Sequence, residues 1–315
     1  MSAAPQRDTL MWDSSEFAKT YTSAETVTGP YAQDLVVRTI LPDLDNDNDL
    51  VVLDLACGTG VVAAKLMDML GHSQRQSESD SSDKGDGEGE EKPTSSGPRL
   101  RSLTCSDFAD AMVDAVAHRI EACGWPNAKA IKADAMDTNL PSAEYTHILM
   151  NFGPMLLPDW RAGLREMHRM LRPGGTLGLA SWKKVGWYAD VRDAFATDPD
   201  LPAMGTEEGL RKFMSPDGCW DDEGWVKQIL EGAGFGNVVV EVVPHTSVWA
   251  GVDEFLPMIR GSVGFAISGA WSKEQQVKHG ERAKSVVESF MREKYGAGEI
   301  SWEWIAILTT AKKLG

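Results

Sequence analysis

Residues 54–60, DLACGTG, combine an acid with two glycines at the end of an apolar run. With residues 61–63 behind it, the stretch fits the loose pattern G-x-G-x-x-A, which in dinucleotide-binding proteins sets phosphates against bare amides at a helix N-terminus. Asp54 does not suit such a ligand, because its carboxylate would repel a pyrophosphate at the same turn. The stretch therefore favours a nucleotide cofactor that carries positive charge and no phosphate.

S-adenosylmethionine has this charge, since it carries an ammonium and a sulfonium group. An acid at the strand end then becomes favourable, and Gly58 and Gly60 let the backbone approach the ligand where a side chain would block it. The residues of this turn therefore predict S-adenosylmethionine as the cofactor.

An acid that holds the ribose hydroxyls is expected after the next strand, about 20 residues past the glycines. Asp107, in LTCSDF, lies 47 residues after Gly60. Removing the 29 residues from Gly71 to Arg99 leaves a separation of 18, which restores the expected spacing. The spacing predicts both a ribose role for Asp107 and an insertion at 71–99.

Two further polar residues follow later strands of the pattern. Asp134, in KADAMD, has a carboxylate that could accept a hydrogen bond from the adenine amino group, and a helix N-cap is the equally open alternative. Asn151, in LMNFG, ends the next strand and is expected to line the methyl-transfer site.

Strands and helices alternate along the chain outside the insertion. The predicted strands are Leu50–Leu55, Leu100–Cys105, Ala128–Lys132, Thr146–Asn151, Thr176–Trp182, Val238–Val243 and Trp302–Thr310. The predicted helices are Val61–Leu70, Ala109–Gly124 and Trp160–Leu171, the last closed by RPGG. This alternation predicts an α/β fold with a doubly wound, mainly parallel seven-stranded sheet, whose final strand is an antiparallel partner.

The remaining segments set the domain organisation. Residues 71–99 consist mostly of Ser, Asp, Glu and Gly and offer no apolar side chain to bury, so we expect a disordered acidic insertion. Residues 12–40, 185–230 and 250–295 are helical in pattern and are expected to form an N-terminal lid and a helical cap over the carboxyl edge of the sheet. The chain, residues 1–315, is expected to be a single domain.

The chain resembles a known family at several motifs in order. DLACGTG, the acid in CSDF, the DAMD segment and LRPGG together resemble the class I S-adenosylmethionine-dependent methyltransferases. YTSAETVTGPYAQDLV, LTCSDFADAMV, EACGWPNAKA, LPSAEYTHI and SWKKVGW are more closely similar to the fungal gliotoxin bis-thiomethyltransferase group, over nearly the whole chain except the insertion. The resemblance implies a Rossmann-like methyltransferase fold, S-adenosylmethionine as cofactor, and methylation of thiols in a secondary metabolite, an epipolythiodioxopiperazine-like dithiol.

These considerations give two sets of site residues. Those expected to bind the cofactor are Tyr21, Asp54, Ala56, Gly58, Gly60, Asp107, Phe108, Asp134, Ala135 and Asn151. Those expected to line an apolar substrate pocket are Phe152, Met155, Trp182, Trp187 and Trp249, with burial in the core as the alternative for the tryptophans.

His245 is the candidate catalytic base, with a surface histidine as the alternative. If its strand is parallel, His245 lies at the same edge of the sheet as Asn151. His147 and His168 lie within strand and helix patterns and are expected to be structural. A thiol, whose reference pKa is about 8.5, needs a base less than a phenol does. The lack of an evident histidine and acid pair therefore favours sulfur as the acceptor.

Composition limits the partners. A net charge of −16 and an isoelectric point near 4.8 disfavour nucleic acid, since phosphate binding relies on clustered Lys and Arg. The sequence has neither a signal-peptide core nor a membrane-length apolar run, so a soluble, cytoplasmic protein that acts on a small molecule is expected. Cys57, Cys105, Cys123 and Cys219 show no metal-binding spacing and are expected to be reduced thiols without a metal.

Several functions remain open at this point. The leading one is thiol methylation of a small molecule, with oxygen or nitrogen as alternative acceptors. A nicotinamide-dependent dehydrogenase is disfavoured by Asp54, and a cofactor-binding regulator without turnover is a third possibility. The acceptor molecule and the oligomeric state are not given by the sequence.

Overall fold

The structure is a computed structural model that describes residues 21–44, 49–80 and 100–315, with the side chains of 72–80 left out of the description. Seven strands form one sheet in the order β3-β2-β1-β4-β5-β7-β6. They are β1 Leu50–Leu55, β2 Leu100–Asp107, β3 Ala128–Lys132, β4 Tyr145–Asn151, β5 Leu171–Lys184, β6 Phe235–Trp249 and β7 Ile300–Lys313. β7 is antiparallel to both of its neighbours and the other pairings are parallel, which confirms the predicted sheet.

Helices connect and flank the strands. They are α1 Glu25–Ile40, α2 Val61–Asp80, α3 Asp110–Cys123, α4 Trp160–Met170, α5 Tyr188–Ala196, α6 Glu207–Met214, α7 Glu223–Gly232, α8 Val252–Ala270 and α9 Lys273–Tyr295. Helices thus occupy the three segments predicted to be helical, as far as residues 21–44 and 100–315 describe them. Within the described part of the chain, no helix is long and apolar enough to cross a bilayer.

The burial of β1 explains its position in the sheet. All six of its residues are buried, as expected for a central parallel strand with helices packed on both faces. β2 lies on one side of β1 and β4 lies on the other, so the chain reverses its direction of sheet growth between them. Such a reversal opens a crevice at the carboxyl ends of the strands, and the ends of β1, β2 and β4 carry the candidate site.

Two local predictions differ from the structure. α2 continues past Leu70 to Asp80, so the first ten residues of the predicted insertion are helical, while 81–99 lie outside the described residues. The RPGG segment, residues 172–175, lies within β5, because Leu171 already pairs with Tyr145 in the sheet.

Candidate active site

The glycine turn leaves β1 through backbone conformations that favour glycine. Ala56, Gly58 and Gly60 have φ values of 54°, 53° and 82°. A Cβ at Gly58 would lie 3.3 Å from the ring of Tyr21, so a bare backbone allows that ring to cover the turn. A Cβ at Gly60 would lie 2.6 Å from Cγ2 of Val116 in α3, so this glycine allows helix packing. Gly60 therefore supports the turn by allowing this packing, and it is not among the residues that line the neighbouring cavity described below.

Asp54, in β1, is likewise absent from the lining of that cavity. Its side chain is 1% exposed, and its Oδ2 accepts a hydrogen bond of 3.1 Å from the backbone N–H of Ala63 in the first turn of α2. Burial raises the pKa of this carboxyl to about 7. The acid thus caps the start of α2 after the glycine turn, and its side chain is not among those that line the cavity.

Asp107 is the acid that meets the glycine turn. Its Oδ2 accepts a hydrogen bond of 2.9 Å from the N–H of Gly58, and its Oδ1 accepts one of 3.1 Å from the N–H of Ala109. The side chain is 6% exposed and lines a cavity at the carboxyl ends of β1, β2 and β4. The glycine turn and the acid after the second strand therefore lie together, as their spacing predicts.

This first cavity has a volume of about 230 Å³, and it is called the cofactor cavity because most of the residues predicted to bind the cofactor line it. Eight of the ten predicted cofactor residues line it: Tyr21, Ala56, Gly58, Asp107, Phe108, Asp134, Ala135 and Asn151. Phe152, predicted for the substrate pocket, also lines it, and the residues that sequence reasoning missed are Met112, Ala133, Met136, Gly153, Leu156, Leu157 and Pro158. Among the described residues that line it, the charged side chains are the carboxylates of Asp107 and Asp134, with neither Lys nor Arg.

Asp134 and Asn151 have different environments in this cavity. Asp134 is exposed, and its Oδ1 accepts a hydrogen bond of 2.9 Å from the N–H of Met136 in a tight turn, so it caps no helix. The side-chain amide of Asn151 lies 3.5 Å from the carbonyl oxygen of Thr28. The Oδ1 of Asn151 is buried and has no hydrogen-bond partner among the described residues, so it can accept a hydrogen bond from a ligand.

A second cavity has a volume of about 170 Å³ and shares Tyr21, Phe152 and Leu156 with the first. It is called the substrate cavity because most of the residues predicted to line the substrate pocket border it. Its other lining residues are Ser23, Ala24, Val27, Thr28, Met155, Trp182, Val185, Trp187, Met214, Met258, Gly261, Ser262, Phe265 and Trp304. α6 contributes Met214 to this lining, and α8 contributes four residues between Met258 and Phe265. Of the lining residues that the structure describes, Tyr21 alone has a titratable side chain, and burial, with Asp107 and Glu25 nearby, raises the pKa of that phenol to about 12.

Aromatic packing fixes the junction of the two cavities. The ring of Phe152 stacks on Trp182 with centroids 3.7 Å apart and planes 12° apart. Phe152 has a φ of 58°, a left-handed conformation that is costly for a bulky residue and is found mostly at functional sites. Four predicted pocket residues, Phe152, Met155, Trp182 and Trp187, line the substrate cavity.

Trp249 is not among them. It is 3% exposed and packs edge-on against Phe255 and Trp302, with ring centroids 5.1 and 5.8 Å away. The core alternative therefore describes Trp249, whereas Trp304, on the neighbouring strand, takes its place in the lining. The indole N–H of Trp304 is buried without a partner among the described residues.

His245 lines neither cavity. Its Nε2 lies 2.7 Å from Oδ2 of Asp34 in α1, so the structure forms the histidine and acid pair that was not evident in the sequence. The ring of Tyr31 contacts His245 and also contacts Phe152 and Trp182 of the cavity, at centroid distances of 4.6, 5.5 and 5.3 Å. The side chains of His245 and Asp34 are partly exposed, and the ring of Tyr31 lies between His245 and the residues that line the substrate cavity.

His147 and His168, the two histidines expected to be structural, have structural contacts. His147 is 2% exposed and bonds through Nδ1 to Thr146 and through Nε2 to Asp43. His168 packs edge-on against Phe235. Of the cysteines, Cys57 and Cys105 are buried and Cys123 and Cys219 are exposed, all as free thiols.

Comparison with known proteins identifies the family. Residues 32–242 match the ubiE/COQ5 methyltransferase family. The chain is 33% identical over 308 residues to an acetylaranotin bis-thiomethyltransferase of Aspergillus terreus, which covers 95% of this chain and 95% of that protein. It is 29% identical over 298 residues to the methyltransferase tpcH of Aspergillus fumigatus, covering 94% and 96% of the two chains.

A solved structure shows the same fold. Phosphoethanolamine N-methyltransferase 2 of Haemonchus contortus, in complex with phosphomonomethylethanolamine and S-adenosylhomocysteine, superposes with a TM-score of 0.53 at 14% identity, covering 97% of this chain and 59% of that one. The family match and the near full-length relatives show that the chain belongs to the ubiE/COQ5 methyltransferase family and is an S-adenosylmethionine-dependent methyltransferase.

Proposed function

We propose that the protein methylates a thiol of an apolar small molecule of secondary metabolism and that S-adenosylmethionine binds in the cofactor cavity. One observation carries the acceptor assignment: the described residues that line the substrate cavity include no carboxylate, imidazole, ammonium or guanidinium group. Such a cavity excludes water and orients the acceptor, but it supplies no side chain that could remove a proton from it near neutral pH.

The residues of the cofactor cavity fit S-adenosylmethionine better than a dinucleotide. Two carboxylates and the absence of Lys and Arg among the described lining residues suit a ligand with positive charge and hydroxyl groups. Asp107 would hold the ribose hydroxyls, and the unpaired Oδ1 of Asn151 would accept a hydrogen bond from the ammonium group. Phe108 and Met112 offer apolar surface to an adenine ring.

When bound, this cofactor supplies an electrophilic methyl group for direct displacement. The chain's own contribution is to align the acceptor with that group and to exclude water. Phe152 lies between the two cavities, and its stacking on Trp182 holds the ring in place. Tyr21 borders both cavities, and its raised pKa keeps the phenol protonated near neutral pH, so it does not act as a base.

A thiol suits this site because it ionises by itself. With a reference pKa of about 8.5 a thiol is partly thiolate near neutrality, whereas a phenol with a pKa of about 10 relies more on a base. The relative from Aspergillus terreus is named a bis-thiomethyltransferase, which supports sulfur as the acceptor atom. Aromatic and methionine side chains around about 170 Å³ suit a compact heterocycle, so we propose an epipolythiodioxopiperazine-like dithiol as substrate.

The test is mass spectrometry of acceptors incubated with enzyme and S-adenosylmethionine. A reduced epidithiodioxopiperazine should give mono- and bis-methylthio products, and matched phenol and amine acceptors should give none above an enzyme-free control. Turnover of the phenol or the amine with no methylated sulfur would contradict the thiol assignment. Cofactor binding without turnover of any acceptor would instead favour a regulator.

A further inference from the structure

Three parts of the chain meet at the carboxylate of Glu25, the first residue of α1. Oε1 and Oε2 of Glu25 accept hydrogen bonds of 2.6 and 3.2 Å from Nη1 and Nη2 of Arg119 in α3. Oε1 also accepts a hydrogen bond of 2.8 Å from the hydroxyl of Thr59. The side chains of Glu25 and Arg119 are 19% and 29% exposed, so this two-pronged pair is largely shielded from water.

Arg119 also crosses the glycine turn. Its Nη1 donates a hydrogen bond of 3.0 Å to the carbonyl oxygen of Thr59, which lies between Gly58 and Gly60. Its Cδ would lie 3.8 Å from a Cβ at Gly60. One guanidinium therefore fixes both the turn and the start of α1.

The segment held in this way borders both cavities. Tyr21, four residues before Glu25, covers Gly58 and lines the cofactor and substrate cavities. Ser23 and Ala24 line the substrate cavity. Residues 21–24 therefore lie between the Glu25 and Arg119 pair and both cavities, so a weaker pair is expected to let this segment move and admit water to the cavities.

We infer that Glu25 and Arg119 are positioning residues that hold residues 21–24 over the bound cofactor and thereby set how long it stays bound. This inference rests on the proposed seating of S-adenosylmethionine in the cofactor cavity. The pair touches neither cavity, so it acts through Tyr21. A merely structural pair would change stability and leave the cofactor dissociation rate unaltered.

Two variants weaken the pair in different ways. Glu25→Gln removes the charge, and Arg119→Lys keeps the charge but loses the two-pronged geometry. Arg38→Gln is the matched control, because Arg38 is also in α1, is 27% exposed, and pairs with Asp34 and Glu241 away from both cavities. Melting temperatures of all three variants are measured first, so that only folded variants are compared.

The readouts are hydrogen exchange of residues 21–31 in the cofactor-free protein and the dissociation rate of S-adenosylhomocysteine. Both Glu25 and Arg119 variants should exchange faster in this segment and release S-adenosylhomocysteine about tenfold faster, with KM for S-adenosylmethionine raised more than kcat is lowered. Arg38→Gln should match the parent. Unchanged dissociation in folded Glu25→Gln and Arg119→Lys would overturn the inference alone, whereas a parent protein that binds neither cofactor form would contradict the proposed function as well.

Discussion

The carboxylate of Asp107 accepts a hydrogen bond of 2.9 Å from the backbone N–H of Gly58. This bond ties the end of β2 to the turn after β1, so the acid and the turn keep a fixed relation at the mouth of the cofactor cavity. Any ligand that bonds to Asp107 is thereby held against the bare backbone of Gly58.

We expect Asp107→Ala to weaken S-adenosylmethionine binding by about 1 to 3 kcal/mol, the scale of a lost hydrogen bond to a charged group. Calorimetric titration measures the change. Asp110→Asn is the control, because Asp110 is exposed and pairs with Lys132 outside the cavity. A variant that titrates like the parent would refute the ribose assignment of Asp107.

A substitution at Trp182 distinguishes acceptor binding from cofactor binding. Trp182 lines only the substrate cavity, so Trp182→Leu removes aromatic surface that an acceptor would bury and should raise KM for the acceptor about tenfold, which corresponds to about 1.4 kcal/mol. Cofactor affinity should change less than about twofold. Trp249→Leu, a core change outside both cavities, should lower stability and leave the acceptor KM unaltered. Equal KM effects in the two variants would argue against the substrate cavity.

Substitution of His245 tests whether the protein supplies a base for the acceptor. Because it pairs with Asp34 and lines neither cavity, His245→Ala should lower the methyl-transfer rate only slightly. An enzyme that relied on this imidazole to deprotonate its acceptor should lose on the order of a hundredfold or more. Single-turnover rates near neutral pH distinguish these outcomes, and Asp34→Asn should behave like His245→Ala.

Asp54 should give the free energy of unfolding a specific pH dependence. Burial raises the pKa of its carboxyl from an ordinary 3.8 to about 7, so the folded state binds the proton more tightly than the unfolded state. The resulting stabilisation is complete below about pH 4 and is lost as pH rises through 7, with a size on the order of 2 to 4 kcal/mol.

Asp54→Asn should remove this component, because the amide oxygen can still accept the hydrogen bond from Ala63 without titrating. Urea unfolding from pH 4 to 8 should show a flatter profile than that of the parent. Asp68→Asn is the control, because Asp68 is an exposed carboxylate in α2, the helix that Asp54 caps, and this variant should keep the parent's profile. A parallel shift of the Asp54→Asn curve without flattening would contradict the buried, titrating carboxyl.

The sheet was predictable from sequence because its signals are local. β1 is a buried apolar run that ends in glycines, and the spacing from Gly60 to Asp107 was recovered once 71–99 were set aside. Residues at strand ends, such as Ala56 and Asn151, follow from strand boundaries alone. Most of the residues predicted to bind the cofactor could therefore be found from the sequence, and eight of those ten line the cofactor cavity.

The rest depends on three-dimensional contacts that the sequence does not encode locally. Whether Asp54 faces a ligand or the N–H of Ala63 is decided by how α2 starts, within the same few residues. His245 meets Asp34 across 211 positions. Trp304, not Trp249, lines the substrate cavity because register and helix packing decide which indole faces it.

If the acceptor supplies its own ionised nucleophile, the rate of single-turnover methyl transfer should follow the ionisation of the acceptor thiol as pH changes. A series of dithiols with different thiol pKa values should give rate profiles whose midpoints move with the pKa of each acceptor, in the parent and in His245→Ala alike. One fixed midpoint for every thiol, lost on His245→Ala, would reveal a base on the protein and contradict the account.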